Sequence, residues 1–352
     1  MHKTKNLNYI NKDLERTNKL IVAIGDSFTY GDAAWDDDLL NLYPPLYNEH
    51  KLDYNFYDIS IVNEIHKLYP ETTYFQNGKL NFEDMFQKNS YLSIIDDKLN
   101  KEWTCLNLGV KARGNLSAIS SLFLANVKWD LVKEVVVIYM PSSMNRVDVL
   151  NDTFANPTDI PYNLFTTAWP SSPGTRAFRE KDEVNIKNYG NNSSPWNLFQ
   201  DSIYDSIWSE KHDVLKTILE FQFLNSWIKS HNGKLIIISA FSNYYNKEYF
   251  QDILTYVVKR ENTSRKLIDI DKSNNKEIWS NYINMMPWDN IYHPDEYHSF
   301  YHYALGQTDK NANSADMLRL IGKPSKDNWI MACGHPSAKA HKLIATYILK
   351  YL

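Results

Sequence analysis

Lys19-Leu-Ile-Val-Ala-Ile-Gly25-Asp26-Ser27-Phe-Thr-Tyr-Gly31 is the stretch whose reading decides the fold. Leu20 to Ile24 is a short apolar run with β-branched members, the composition of a strand buried on both faces. It stops abruptly at Gly25-Asp26-Ser27. A serine at the carboxyl end of such a strand stands on the rim where open α/β sheets place their ligands. Gly25 lets the backbone turn sharply there, and Gly31 gives a second point of freedom. The hydroxyl and the backbone N–H of one serine then face the same spot. Acyl transfer needs that arrangement, a nucleophile beside a donor for the developing oxyanion. The same residues admit a plainer reading, in which Asp26 or Ser27 only caps the helix that follows.

The rest of the chain is large enough to surround that strand. It has 352 residues, 43% of them hydrophobic and 23% charged, ample for a large core. A formal net charge of -4 carries no nucleic-acid signature. No run is long or apolar enough to span a bilayer, and the first residues, MHKTKNLNYINKDLERTNK, lack the apolar segment of a secretory leader. The expectation is a cytoplasmic or virion-associated protein with neither nucleic acid nor membrane as partner; its oligomeric state is not legible. Two cysteines, Cys105 and Cys333, supply neither a disulfide framework nor metal-ligand spacing. Cys105 falls in an expected strand, where it fills core. The chain is rich in aromatics, 10 Trp and 24 Tyr, most of which packing will use, with a share left to line a groove for sugar faces.

Residues 1 to 18 read as a polar arm. Asp36-Asp37-Asp38 lacks the alternating ligand spacing of a calcium loop and reads as a solvated turn. In 36–89, Ile61, Ile65 and Leu68 have helical spacing and 71–80 has hairpin composition. Ser90 to Leu99 is an amphipathic helix with Leu92, Ile95 and Leu99 inward. Trp103 to Gly109 is a short buried strand, followed by a glycine-bearing turn at Arg113-Gly114-Asn115 and a helix from Ser117 to Val127. Glu134 to Tyr139, EVVVIY, is the clearest parallel-sheet strand. It leads into Met140-Pro141-Ser142-Ser143-Met144-Asn145-Arg146. Residues 150–205 are rich in Asn, Asp, Pro, Ser and Thr and read as an insertion near the rim. Asp213 to Ser230 places Val214, Ile218, Phe221, Leu224 and Ile228 on one helical face, and Lys234 to Ser239 is another buried strand. Helix alternating with strand predicts a doubly wound α/β sheet. Residues 243–320 have no regular pattern. His293, His298 and His302 have spacings that could gather histidines on a helix, but no zinc ligand set is complete, and a polar aromatic surface segment is the stronger reading. His335-Pro336-Ser337 then opens a final amphipathic helix through Leu352, with proline and serine suited to a helix start. His335 thereby falls in a loop at the sheet rim, while His341 falls on the helix in a structural position.

Gly25-Asp26-Ser27-Phe28-Thr29-Tyr30-Gly31 resembles the first sequence block of the SGNH, or GDSL-like, hydrolases, and His335-Pro336-Ser337 resembles their last. The strand and glycine turn ending at Gly114 are similar to the second block. The order, serine block, glycine block, late histidine, is also the family's. The resemblance implies a flavodoxin-like three-layer α/β sandwich around a central, mostly parallel sheet. It implies one such domain over 1–352, with large insertions at about 36–89, 150–205 and 243–320. It implies Ser27 as nucleophile and His335 as general base, acting on an ester of a small molecule or a glycan, with no metal and no cofactor. Gly114 N–H, with Gly109 the alternate, is the implied oxyanion donor beside Ser27 N–H; the plain alternative is that both glycines only shape turns. The family's third block, Gly-x-Asn-Asp, is absent. Asn145 lies in the corresponding loop as the substitute donor, and Ser143 is the other candidate.

The family's aspartate stands two or three residues before its histidine, where this chain has Cys333 and Ala332. Three resolutions stay open: Asp327 reaches the imidazole from the same loop, a backbone carbonyl orients the ring in a Ser-His dyad, or the enzyme is weak or inactive. A thiolate role for Cys333 ranks below simple packing. The function implied is therefore a serine esterase, with O-acetyl groups of a carbohydrate as one substrate class. The alternatives are an inactive scaffold that binds carbohydrate or builds a virion, and an O-acyltransferase.

Overall fold

Four of the apolar runs pair side by side as parallel strands. The structure is a computed structural model and describes residues 7–31, 34, 86, 88–110, 114–144, 146–150, 165–168, 210–240, 245–255, 272–310, 325, 327, 329–331 and 334–352. Strands β1 (Lys19–Gly25), β2 (Thr104–Asn107), β3 (Glu134–Met140) and β6 (Lys234–Ile237) form one sheet in the order β2-β1-β3-β6, every pairing parallel. A separate antiparallel pair joins β4 (Val147–Leu150) to β5 (Phe165–Ala168). The doubly wound expectation holds. β1 lies between β2 and β3, so the carboxyl end of β1 is at the middle of the rim rather than at an edge.

Alternation along the strands sends side chains to two separate cores, the mark of three layers. Leu20, Val22 and Ile24 of β1, with Val135, Val137 and Tyr139 of β3, face one side. There they meet helices α1 (Leu7–Thr17), α4 (Asn115–Leu124), α5 (Glu210–Ser230) and α6 (Lys247–Thr255). The helical face read from the sequence of α5, Val214, Ile218, Phe221, Leu224 and Ile228, is buried there in full. Ile21 and Ala23, with Val136, Ile138 and Met140, face the other side. They meet α3 (Tyr91–Lys98), α8 (Phe300–Gly306) and α9 (Ala338–Ile348). Each fully buried Leu, Ile or Phe contributes about 2 kcal/mol of apolar transfer free energy. The middle strands, buried on both faces, therefore hold the rim loops to a rigid base.

Three expectations change. The "polar arm" contains α1, whose Ile10 and Leu14 are buried against the sheet. Two apolar residues four apart are enough to dock a helix once a sheet face is there to receive them. The segment 243–320, read as irregular, contains α6, α7 (Lys272–Asn284) and α8. These are short or mostly polar, and tertiary contact rather than periodicity sustains them. The helix expected at Ser117–Val127 begins two residues earlier, at Asn115. The readings made at 36–38, 61–68 and 71–80 lie outside the described residues, as does most of 150–205.

Candidate active site

Asp26 and Ser27 occupy the sharp turn at the end of β1. Gly25 has φ 155° and Gly31 has φ 86°, the latter closing the one-turn helix α2 (Ser27–Tyr30) with its N–H on Ser27 O. A Cβ at Gly25 would lie 2.2 Å from Thr29 Oγ1 and 2.6 Å from Met140 O, so only glycine lets the chain turn this closely. Of the two readings of the opening stretch, the cap is observed, and it falls on Asp26 rather than Ser27. Asp26 is the helix cap, its Oδ1 accepting the Phe28 N–H at 3.0 Å. Ser27 is the first helical residue, with no hydrogen bond from its N–H among the described residues.

His335 reaches the same point from the far end of the chain. Its loop is braided. Gly334, at φ 82°, donates its N–H to Met331 O, Met331 N–H donates to His335 O, and Ser337 N–H donates to Trp329 O. An isolated bridge joins Ile330 to Pro336. Ser337 is the cap residue of α9 by position, as expected, though its side chain makes no capping bond, and Pro336 stands just before the helix rather than in its first turn. The ring leans on Phe28, centroids 5.4 Å apart, and Phe28 in turn meets Phe300 edge-on at 6.1 Å. His335 Nε2 lies 2.8 Å from Ser27 Oγ, and its Nδ1 is turned into the protein away from solvent. The pair that the sequence places 308 residues apart is thus hydrogen-bonded, with Ser27 7% exposed.

The other site expectations fare differently. Asp327 is exposed, at φ 57°, and no hydrogen bond joins it to His335 among the described residues. Gly114 stands at the start of α4 as expected, but its N–H donates to Asp148 Oδ1 at 2.9 Å, while Asp148 Oδ2 takes the Ser117 N–H at 2.7 Å. The donor expected to face an oxyanion is therefore spent on a helix cap supplied from β4. Gly109 N–H is likewise spent, on Asn107 Oδ1 at 2.9 Å. Asn145, Ala332 and Cys333 lie outside the described residues. His341 is fully buried on α9, as expected of a structural residue, with Nδ1 accepting the Tyr91 N–H at 3.3 Å. Burial, and secondarily the charge of His335, push its pKa down to about 3, so it packs as a neutral ring. His293 and His298 stack edge-on at 4.9 Å, and His302 faces Ser299. Among the described residues no group of three His, Cys, Asp or Glu side chains is placed to hold a metal ion.

Sequence reading missed the polar layer behind the serine. Arg146 Nη1 meets Asp26 Oδ2 at 3.2 Å, both side chains almost wholly buried. Lys216 of α5 donates to Arg146 O at 2.9 Å. Asn115 accepts the Ser142 N–H at 2.8 Å and donates to Tyr245 Oη at 3.1 Å, and Tyr245 donates on to Ser142 O. These bonds tie the loop after β3 to α4 and α5. Nothing local in sequence signals them; only the run of polar residues after an apolar strand could have drawn attention there.

Glu220 sits beside this layer on α5 with one carboxylate oxygen buried and unpartnered. Burial raises its pKa from 4.5 to about 7; Lys216 opposes the shift, and Asp148 and Asp213 add to it. A carboxyl whose pKa is raised by folding stabilises the fold in its protonated form. That stability is whole below pH 4.5 and is lost as pH rises through about 7. Glu220→Gln should therefore flatten the fall in melting temperature between about pH 5 and 8, where up to about 3 kcal/mol is at stake by linkage. Thermal melts of the two proteins across that range check it.

No protein-family model matches the chain, and no curated protein matches it. Among solved structures it is similar to LAE5, an alpha/beta hydrolase enzyme from the metagenome of Lake Arreo, Spain. That likeness has 10% identity and a TM-score of 0.33, and covers 94% of each chain. It is also similar to a putative lipolytic protein of the G-D-S-L family from Desulfitobacterium hafniense DCB-2. Identity there is 12% and the TM-score 0.18, over 76% of this chain and 99% of that one. At these TM-scores neither likeness bears on what the site does.

Proposed function

We propose that this chain is a serine esterase working through an acyl-enzyme, with Ser27 as nucleophile and His335 as general base. The 2.8 Å approach of His335 Nε2 to Ser27 Oγ is the observation that carries the reading. A serine hydroxyl is a poor nucleophile until a base within hydrogen-bond reach takes its proton. With the ring proton on Nδ1, the Nε2 lone pair faces the hydroxyl. Ser27 Oγ attacks the ester carbonyl as its proton passes to Nε2, the imidazolium then protonates the departing alcohol, and water activated by the same nitrogen releases the acid. Ser27 N–H, at the start of α2, is the backbone donor best matched to the oxyanion; Asn145 is the side-chain donor carried over from the family resemblance. In this reading His335 is held in place by its braided loop and by Phe28. The substrate class that fits the aromatic-rich chain is an O-acetylated carbohydrate.

Purified protein is expected to hydrolyse a short-chain aryl ester, and Ser27→Ala is expected not to; equal rates for the two would end the proposal. One observation favours a second reading, a glycan-binding scaffold without turnover. The carboxylate of Asp148 holds the Gly114 N–H, and a bound anion is what an oxyanion donor must be free of. Glycan binding that survives Ser27→Ala, with no ester turnover in either protein, would decide for that reading. An O-acyltransferase would instead form acylated product only when a sugar acceptor is supplied.

A further inference from the structure

One carboxylate, that of Asp26, borders Ser27 in the chain and bonds the backbone of the residue whose ring His335 leans on. Asp26 Oδ1 takes the N–H of Phe28, so its side chain straddles Ser27 and sets the turn on which the hydroxyl is carried. Phe28 is also the ring against which His335 leans. A cap alone does not require a charge: Asn or Ser at this position would accept the same N–H. Here the cap is an aspartate with 0% side-chain exposure, its second oxygen on an arginine with 6%. Taking two charges out of water costs more than a well-packed apolar pair would, so stability alone does not explain a buried ion pair at this spot. The arginine is itself tethered, its N–H on Ser143 O and its carbonyl under Lys216 of α5. A line of bonds therefore runs from the long helix, through the loop after β3, to the residue before Ser27.

We propose that Arg146 is a positioning residue for the catalytic pair: it fixes the Asp26 carboxylate, which fixes the Ser27 turn directly and the seat of His335 through Phe28. The inference rests on the reading of Ser27 and His335 as nucleophile and base. Its chemical content is directional. A guanidinium presents a rigid planar fork, and a lysine ammonium keeps the charge while losing that geometry. The contribution is to orientation, so it acts on the chemical step and leaves ground-state binding of substrate unchanged.

The test compares Arg146→Met, Arg146→Lys, Asp26→Asn and the Arg146→Met/Asp26→Asn double variant with the unaltered protein. Each is checked for a cooperative melt, then measured for the rate at which a fluorophosphonate labels Ser27 and for kcat and KM on an aryl acetate. Arg146→Met is expected to lower the labelling rate and kcat about 30-fold or more, with KM within about twofold. Arg146→Lys should fall between, about tenfold below the unaltered protein, and the double variant should lose no more than Arg146→Met alone. A folded Arg146→Met protein that labels at the unaltered rate, or one that raises KM with kcat intact, overturns the inference. If Arg146→Met does not fold, Arg146→Lys and Asp26→Asn decide it, and the unaltered labelling rate in either overturns it. A parent protein whose Ser27 the fluorophosphonate never modifies overturns the nucleophile reading instead, and the positioning role falls with it.

Discussion

Ser27→Ala is expected to lower kcat on an aryl ester by about 10⁴-fold or more while leaving the melting temperature within a few degrees. The side chain removed is small, and its hydroxyl is paired with a ring that is itself only half-buried, so little packing is lost. The chemistry lost is the covalent route. His335→Ala should cost nearly as much, and the double variant little more than either single one, because a nucleophile and its base act as a unit. Additive losses would mean that the two residues contribute separately and that the 2.8 Å approach is a packing detail. Steady-state kinetics of the three variants, with melts alongside, is the measurement.

Gly25→Ala is the second large effect, and it falls on stability first. The backbone at Gly25 has φ 155°, where an L side chain is strained, and the added Cβ would sit 2.2 Å from Thr29 Oγ1 and 2.6 Å from Met140 O. Thr29 cannot simply rotate clear, since it is fully buried and Met140 O belongs to the neighbouring strand. Strain and overpacking together should cost about 3 kcal/mol or more. The damage lies at the hinge of the nucleophile turn, so whatever protein folds should also have lost most of its activity. Chemical denaturation gives the first quantity and fluorophosphonate labelling of the folded fraction the second. A Gly25→Ala protein of unaltered stability would mean that the turn at Gly25-Asp26-Ser27 is drawn wrongly.

How much of this could be read from sequence depends on the range over which each signal acts. Strands β1, β3 and β6 are β-branched runs that few other structures could accept, and α5 carries its buried face in plain helical spacing. A strand stop and a helix start mark the places of Ser27 and His335, but only the resemblance of the two motifs to one family's first and last blocks singles the residues out; the local pattern alone fits a helix cap equally well. Helix α1 was missed because its stripe of Ile10 and Leu14 is diluted by polar neighbours, and α8 because seven residues are too few to show a period. Arg146 and Asp148 were illegible for a different reason. Their partners lie far along the chain, Asp26 120 residues from Arg146 and Gly114 34 residues from Asp148, and a pairing of that kind leaves no local pattern. The Gly114 expectation shows the consequence. The glycine was found in the right turn, yet the direction of its N–H was settled by a carboxylate arriving from another strand. Asp327 is close to His335 in sequence, but its exposed position at φ 57° leaves it outside the hydrogen-bonded pair.

The account stands on one covalent event, transfer of an acyl group to Ser27 Oγ. Mass spectrometry of the protein quenched in acid during turnover of an aryl acetate tests it most directly. The expected result is an acetyl adduct on the peptide carrying Ser27, absent from Ser27→Ala and formed more slowly when His335 is altered, because acylation needs the same base. Steady turnover with no adduct on that peptide, at a rate that Ser27→Ala leaves unchanged, would contradict it.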